Sequence, residues 1–202
     1  MRKIAVLAML ALPVTAAAQP GNYYAQPPPP AAAPALFEPK AHLEIGIIAG
    51  TPKGDWKELQ SETSPGFHLQ LGYTIGQNIS LFGGLRYMRV EYDEQALGVS
   101  DLELSHRELQ LGLRFMSPIS PSAKFFVEGN LHSATLTASV EGDSQQESGM
   151  GLGARAGLVF MVDTKIGLGF AVGYSSADVS FDEGDEFEDA WLTGDASLSF
   201  FF

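Results

Sequence analysis

The stretch AWLTGDASLSFFF, Ala190 to Phe202, decides how the chain is read. At the two-residue period of a strand it separates into two rows. Ala190, Leu192, Gly194, Ala196, Leu198, Phe200 and Phe202 make an apolar row, while Trp191, Thr193, Asp195, Ser197 and Ser199 make a wetter one. A strand divided in this way needs an apolar medium on one side and a polar one on the other.

Working back from it, alternation of the same kind recurs until eight strands are counted after Lys40, and no stretch keeps a helical period. The first strand, about Ala41 to Gly50, sets Leu43, Ile45, Ile47 and Ala49 against His42, Glu44 and Gly46. The second, Phe67 to Ile75, alternates strictly. The third runs from Ile79 to about Tyr92 and loses its alternation near Arg89. The fourth ends on Leu109, Leu111, Leu113 and Phe115, opposed by Glu108, Gln110, Gly112 and Arg114. The fifth begins near Lys124, the sixth spans Gly151 to Val162, and the seventh spans Ile166 to Ser175. An even number of strands returns both chain ends to one side.

The connections alternate in length. Gly76 to Asn78, Ser117 to Ala123 and Asp163 to Lys165 are short, whereas Thr51 to Gly66, Asp93 to Ser105, Glu141 to Gly149 and Phe181 to Asp189 are longer. Short turns at one end and long loops at the other predict an all-β fold: an eight-stranded antiparallel up-and-down transmembrane β-barrel over 41–202. Aromatic residues fall where two interfacial girdles belong. Phe115, Phe125, Phe160, Phe200 and Phe202 mark the short-turn end, and Phe67, Tyr87, Tyr92, Tyr174 and Trp191 the other. A soluble barrel would turn its apolar rows inward around a ligand. The loop asymmetry and the aromatic at Phe202 argue for the membrane instead.

Residues 1–18 have Arg2 and Lys3, an apolar run from Ile4 to Val14 and small residues at Ala16 and Ala18, the layout of a secretory signal peptide. About eleven apolar residues are too few to span a bilayer. Residues 19–40 are rich in Pro and Ala, and four consecutive prolines favour an extended, unpaired spacer, read here as disordered and periplasmic. The chain has no Cys and a net charge of −12. Loss of Arg2 and Lys3 with the signal leaves ten basic against 24 acidic residues, a net −14. That balance excludes nucleic acid, whose binders need a basic footprint.

With the apolar rows facing lipid, the polar rows line a narrow lumen. They carry Glu44, Glu108, Glu128 and Asp195 together with Arg86, Arg114 and Arg155. Confined charges persist only when paired and hydrogen-bonded, so a salt-bridge network that plugs the interior is expected, with Gly151, Gly153, Gly157, Gly167, Gly169 and Gly173 leaving room for the arginines.

The signal peptide, eight alternating segments, charged interior and terminal Phe202 together resemble the small outer-membrane barrels typified by the membrane domain of OmpA and by OmpX. That resemblance implies the outer membrane of a Gram-negative bacterium, contact with lipid and lipopolysaccharide, and insertion by the barrel-assembly machinery. The machinery reads the last strand, so Leu198, Phe200 and Phe202 are its expected signal. It also implies a structural, envelope-integrity or surface-interaction role. Without a second domain after Phe202, the peptidoglycan-gripping part of the full OmpA plan is not expected.

Two alternatives belong to other classes: an OmpW-like channel for ions or apolar solutes, and a barrel enzyme that modifies lipid A. For the enzyme, His132 and Ser133, like His106 and Ser105, are neighbours that point to opposite faces and cannot act together. His42 and His68 read as satisfied polar residues. No catalytic residue, cofactor or ordered metal-binding spacing emerges. The run Asp182, Glu183, Asp185, Glu186, Glu188 and Asp189 offers carboxylates that hard divalent cations favour, yet without the spacing of a calcium loop. A solvated, self-repelling loop is the expectation there.

Overall fold

In a computed structural model, which describes residues 41–57, 63–76, 78–90, 102–140, 143–180 and 186–202, eight strands close on themselves. They are β1 (Ala41–Gly54), β2 (Ser64–Thr74), β3 (Ile79–Val90), β4 (Leu102–Ser120), β5 (Ala123–Val140), β6 (Asp143–Met161), β7 (Ile166–Ser180) and β8 (Glu186–Phe201), with one 3-10 turn at Asp55–Lys57. Each strand pairs antiparallel with the next, and β1 pairs with β8 from His42↔Phe201 to Gly54↔Asp189. The signal and Pro-rich segments expected over 1–40 lie outside the described residues, as does Tyr92.

Strand parity sorts the side chains as the hydrophobic pattern requires. On β4, Leu109, Leu111, Leu113 and Phe115 are bare on the outside, while Glu108 and Arg114 are buried within. Ile47 is 71% exposed and Val172 65%, an apolar band that water would not tolerate and that lipid covers. The short-turn end is tidy. Asp163 Oδ1 accepts the Lys165 and Ile166 N–H groups at 2.6 and 2.8 Å, the side-chain turn that Asp favours. The expected Ser117–Ala123 turn is shorter still, because β4 and β5 stay paired as far as Ser120↔Ala123.

At the other end the strands run well into the expected loops. β1 continues to Gly54, β2 begins at Ser64, β6 already at Asp143 and β8 at Glu186. The 18 residues of β5 reach about 45 Å along a barrel axis, given a rise of about 3.3 Å and a tilt of about 40°, against an apolar band of about 25 Å. The excess stands outside the membrane, and there the pattern reverses. Met88, Val90 and Val179 point inward and are buried, while Arg89, Arg107 and Asp178 point outward. The alternation lost near Arg89 is therefore a change of sign within one continuous strand, still paired through Arg89↔Ser105 and Val90↔Leu104.

The outer third is thus packed like a soluble barrel. Ile48, Trp56, Met88, Val90 and Trp191 form its core, with Leu104, Leu136 and Phe187 against it. Trp191, expected in the outer girdle, is instead completely buried in that core: its odd position on β8 aims it into the lumen with Thr193 and Asp195. A second apolar cluster, Phe126, Val159, Ala171 and Phe201, lies at the short-turn end. The charged residues sit between the two.

Candidate functional site

The lumen is the site, and strand parity builds it. Glu44 from β1, His68 and Gln70 from β2, Arg114 from β4, Glu128 from β5, Arg155 from β6 and Asp195 from β8 all occupy inward positions and are buried. Arg155 holds Asp195 with two bonds, Nε to Oδ2 at 2.8 Å and Nη2 to Oδ1 at 2.6 Å. The same Nη2 donates to Glu44 Oε1 at 2.5 Å, and Nη1 donates to Glu128 Oε2 at 3.2 Å. Arg114 donates from Nη2 to Glu44 Oε2 at 2.8 Å and to Gln70 Oε1 at 3.0 Å, and from Nε to Glu128.

Two guanidiniums and three carboxylates are thereby interlocked from opposite walls. Gln70 joins them through Nε2 to Glu128 Oε1 at 3.1 Å, and His68 Nε2 lies 3.1 Å from Glu44 Oε1. Both guanidiniums also lie over the Phe126 ring, 4.6 Å away for Arg114 and 5.1 Å for Arg155, which ties the charged layer to the apolar cluster below. Charge-assisted bonds of this density satisfy most of the donors that burial would otherwise strand.

Arg86 and Glu108 belong to a separate group nearer the outer end. Glu108 receives Arg86 Nη1 at 3.1 Å, Gln110 Nε2 at 2.5 Å and Ser175 Oγ at 2.8 Å, and its Oε1 is 3.1 Å from His106 Nε2. The other ring nitrogen of His106, Nδ1, is 3.0 Å from Asp189 Oδ2. Asp189 Oδ1 in turn accepts the indole N–H of Trp56 at 2.6 Å and of Trp191 at 2.7 Å. The seven charged residues expected as one set thus divide, five in the middle layer and two above it, and the upper pair is completed by residues not assigned to it from sequence.

Asp189 corrects the reading of the acidic run. It is buried, with its Oδ1 accepting two indole N–H groups, rather than solvated in a loop, because β8 starts at Glu186 and carries strand parity into the run. Glu188 points outward and is exposed, with its N–H donated to Asp55 Oδ2 at 2.7 Å. Asp182, Glu183 and Asp185 lie outside the described residues. Among the described residues one trio, Glu44, His68 and Asp195, brings potential ligand atoms within 4.8 Å of one another. Arg155 donates to both of its carboxylates, so a cation already stands where a metal would have to bind.

Sequence reasoning missed Trp56 and the double engagement of His106. The first lies in a three-residue turn without periodicity. The second depends on a partner 83 residues further on, Asp189.

Residues 4–200 match the family model described as the outer membrane protein beta-barrel domain. The chain belongs to that family. Its place is the outer membrane of a Gram-negative bacterium, and its lipid-facing band and closed eight-strand barrel are those of the family's architecture. The barrel is similar to Neisserial surface protein A (NspA), with a TM-score of 0.60 and 11% identity over 81% of this chain and 97% of that one. It is similar also to OprG from Pseudomonas aeruginosa, with a TM-score of 0.54 and 12% identity over 82% and 96%. Ail of Yersinia pestis, in complex with the heparin analogue sucrose octasulfate, aligns with a TM-score of 0.50 and 15% identity over 81% and 100%. At these identities the likeness is one of fold. No curated protein matches the chain.

Proposed function

We propose that this barrel is a non-enzymatic, structural component of the outer membrane, its lumen plugged by its own side chains and its outer end available to the cell surface. One observation carries this reading: Arg114 and Arg155 reach across the lumen and bind Glu44, Glu128 and Asp195 from opposing walls. Eight strands enclose only enough space for side chains, so five interlocked charged groups leave ions a poor path. An apolar cluster at each end supports the same reading.

An enzymatic role lacks support from the geometry. Ser175, Glu108 and His106 come close enough to suggest a nucleophile with its base, yet all three are buried beneath Trp56 and Trp191, out of reach of a lipid A headgroup. In the outer leaflet, lipopolysaccharide is the expected lateral neighbour. Exposed Asp178 and Glu188, which face each other across β7 and β8, make divalent cations a better match to the outer surface than a polysulfated ligand. Leu198 and Phe200 on β8, with Phe202 just past its end, present an outward apolar row, the surface we assign to recognition by the barrel-assembly machinery.

Conductance across planar bilayers tests the central claim. The refolded chain should add no unitary steps at moderate voltage. Regular steps from a purified, heat-modifiable barrel would reject the plugged lumen in favour of a channel.

A further inference from the structure

The last pair between β1 and β8 is Gly54↔Asp189, but the chain does not leave the barrel there. Gly54 has φ 60°, a left-handed conformation open to glycine, and a Cβ at this position would lie 2.5 Å from the Glu188 carbonyl oxygen. The turn it permits leads into Asp55–Lys57 and folds that segment back against β8. Asp55 Oδ2 accepts the Glu188 N–H at 2.7 Å. Trp56 donates to Asp189 Oδ1 at 2.6 Å, and its ring stands edge-on to Phe187 at 5.1 Å and tilted against Trp191 at 5.5 Å.

Three consecutive residues of β8, Phe187, Glu188 and Asp189, are therefore gripped by two residues of one short turn. Trp56 is only 3% exposed, although it belongs to no strand. Its contacts differ in kind from those of the wall. A strand residue is fixed by the ladder on both sides, whereas lifting Asp55–Lys57 breaks no strand pair and costs two hydrogen bonds and the burial of one indole. Below it lie Trp191, then Thr193, whose buried hydroxyl has no hydrogen-bond partner among the described residues.

We propose that Asp55–Lys57, hinged at Gly54, is a strap across the outer mouth of the barrel, held shut by Asp189 and able to lift as a unit while the barrel remains closed on itself. This deepens the plugged-lumen reading, on which it rests, by naming what shuts the outer end. The Asp189 carboxylate is the catch. It holds the strap through Trp56, the β8 wall through Trp191 and the β4 wall through His106.

The absence of Cys permits a direct test. Thr193→Cys removes no hydrogen bond to any described residue and places a thiol under the strap. The full chain is expressed in cells, and a charged, membrane-impermeant maleimide is added to the medium. The thiol should label slowly in the otherwise native barrel and at least tenfold faster when Trp56→Ala is added, with Trp56→Phe between them. Asp55→Ala, a milder change, serves as a second release of the strap should Trp56→Ala fail to yield a heat-modifiable barrel. Equal labelling rates with and without these changes, in barrels confirmed as folded, would overturn the strap. Conductance of the same proteins separates the two claims. A conducting native barrel rejects the plugged lumen whatever the strap does, while strap-independent labelling in a non-conducting barrel rejects the strap alone.

Discussion

Arg155 on β6 and Glu44 on β1 lie 111 residues apart in sequence and meet at 2.5 Å inside the barrel. Because Arg155 also holds Asp195 with two bonds and shares Glu128 and Glu44 with Arg114, replacing it leaves Asp195 without that clamp and takes one partner from each of the other two buried carboxylates. Arg155→Ala should destabilise the barrel by about 3–5 kcal/mol, the usual cost of removing one partner of a buried pair. Urea unfolding in lipid vesicles measures this. A double-mutant cycle with Asp195→Ala should give a coupling of about 0.5–3 kcal/mol. Additive single effects would mean that the two-bond contact contributes nothing specific.

Asp189→Ala should act on the outer third alone. It leaves two indole N–H groups buried without an acceptor, at about 1–3 kcal/mol each, and shifts tryptophan fluorescence. Asp189→Asn keeps an acceptor oxygen and should lose less than half as much. Identical losses from both variants would argue that the carboxylate charge, through His106, matters more than the indole bonds.

The reversal of the hydrophobic pattern fixes where the membrane ends. Leu111→Arg, on the bare apolar band, should cost about 2–4 kcal/mol, the penalty of a cation near the bilayer midplane. Thr137→Arg, outward on β5 and above the band, should cost less than about 1 kcal/mol by the same depth dependence. Equal penalties would place Thr137 in lipid and refute an outer third that stands in water.

Gly46 leaves space that the lumen uses. A Cβ there would lie 2.6 Å from His68 Cε1 and 2.7 Å from the Ala196 carbonyl oxygen. Gly46→Val should destabilise by about 1–3 kcal/mol through overpacking, read as a lower urea midpoint. The effect should extend to Glu44, whose Oε1 is 3.1 Å from His68 Nε2. Wild-type stability would show that His68 moves aside freely.

The middle of the barrel was legible in the sequence because lipid and lumen make opposite demands there. Leu109 to Phe115 could satisfy both only by alternating, and parity then placed Glu44, Arg114, Arg155 and Asp195 inside. Which carboxylate Arg155 would hold was not legible, since strand tilt brings β6 and β8 into register across the lumen, and tilt leaves no mark on a single strand. The outer third was hidden for a different reason. Met88 and Val90 keep the two-residue period but reverse its sense, so a search for apolar-out strands stops where they begin. Asp189 was hidden among acids that resemble a loop. Trp56 lies in a turn too short to carry any period.

The seam between β1 and β8 has a kinetic consequence. The first strand finds its second partner only in the last one, with Ile45 against Leu198 and Ile48 against Asp195. Until that seam closes, two strand edges carry unpaired amides and carbonyls that hydrocarbon penalises heavily. No half-built barrel can therefore rest in the bilayer, and contacts between such remote segments slow the search for the native state. Once closed, the same seam works in reverse. Opening it exposes both edges together, so the barrel should unfold slowly and as a single unit, persisting in the membrane longer than its net stability alone would suggest.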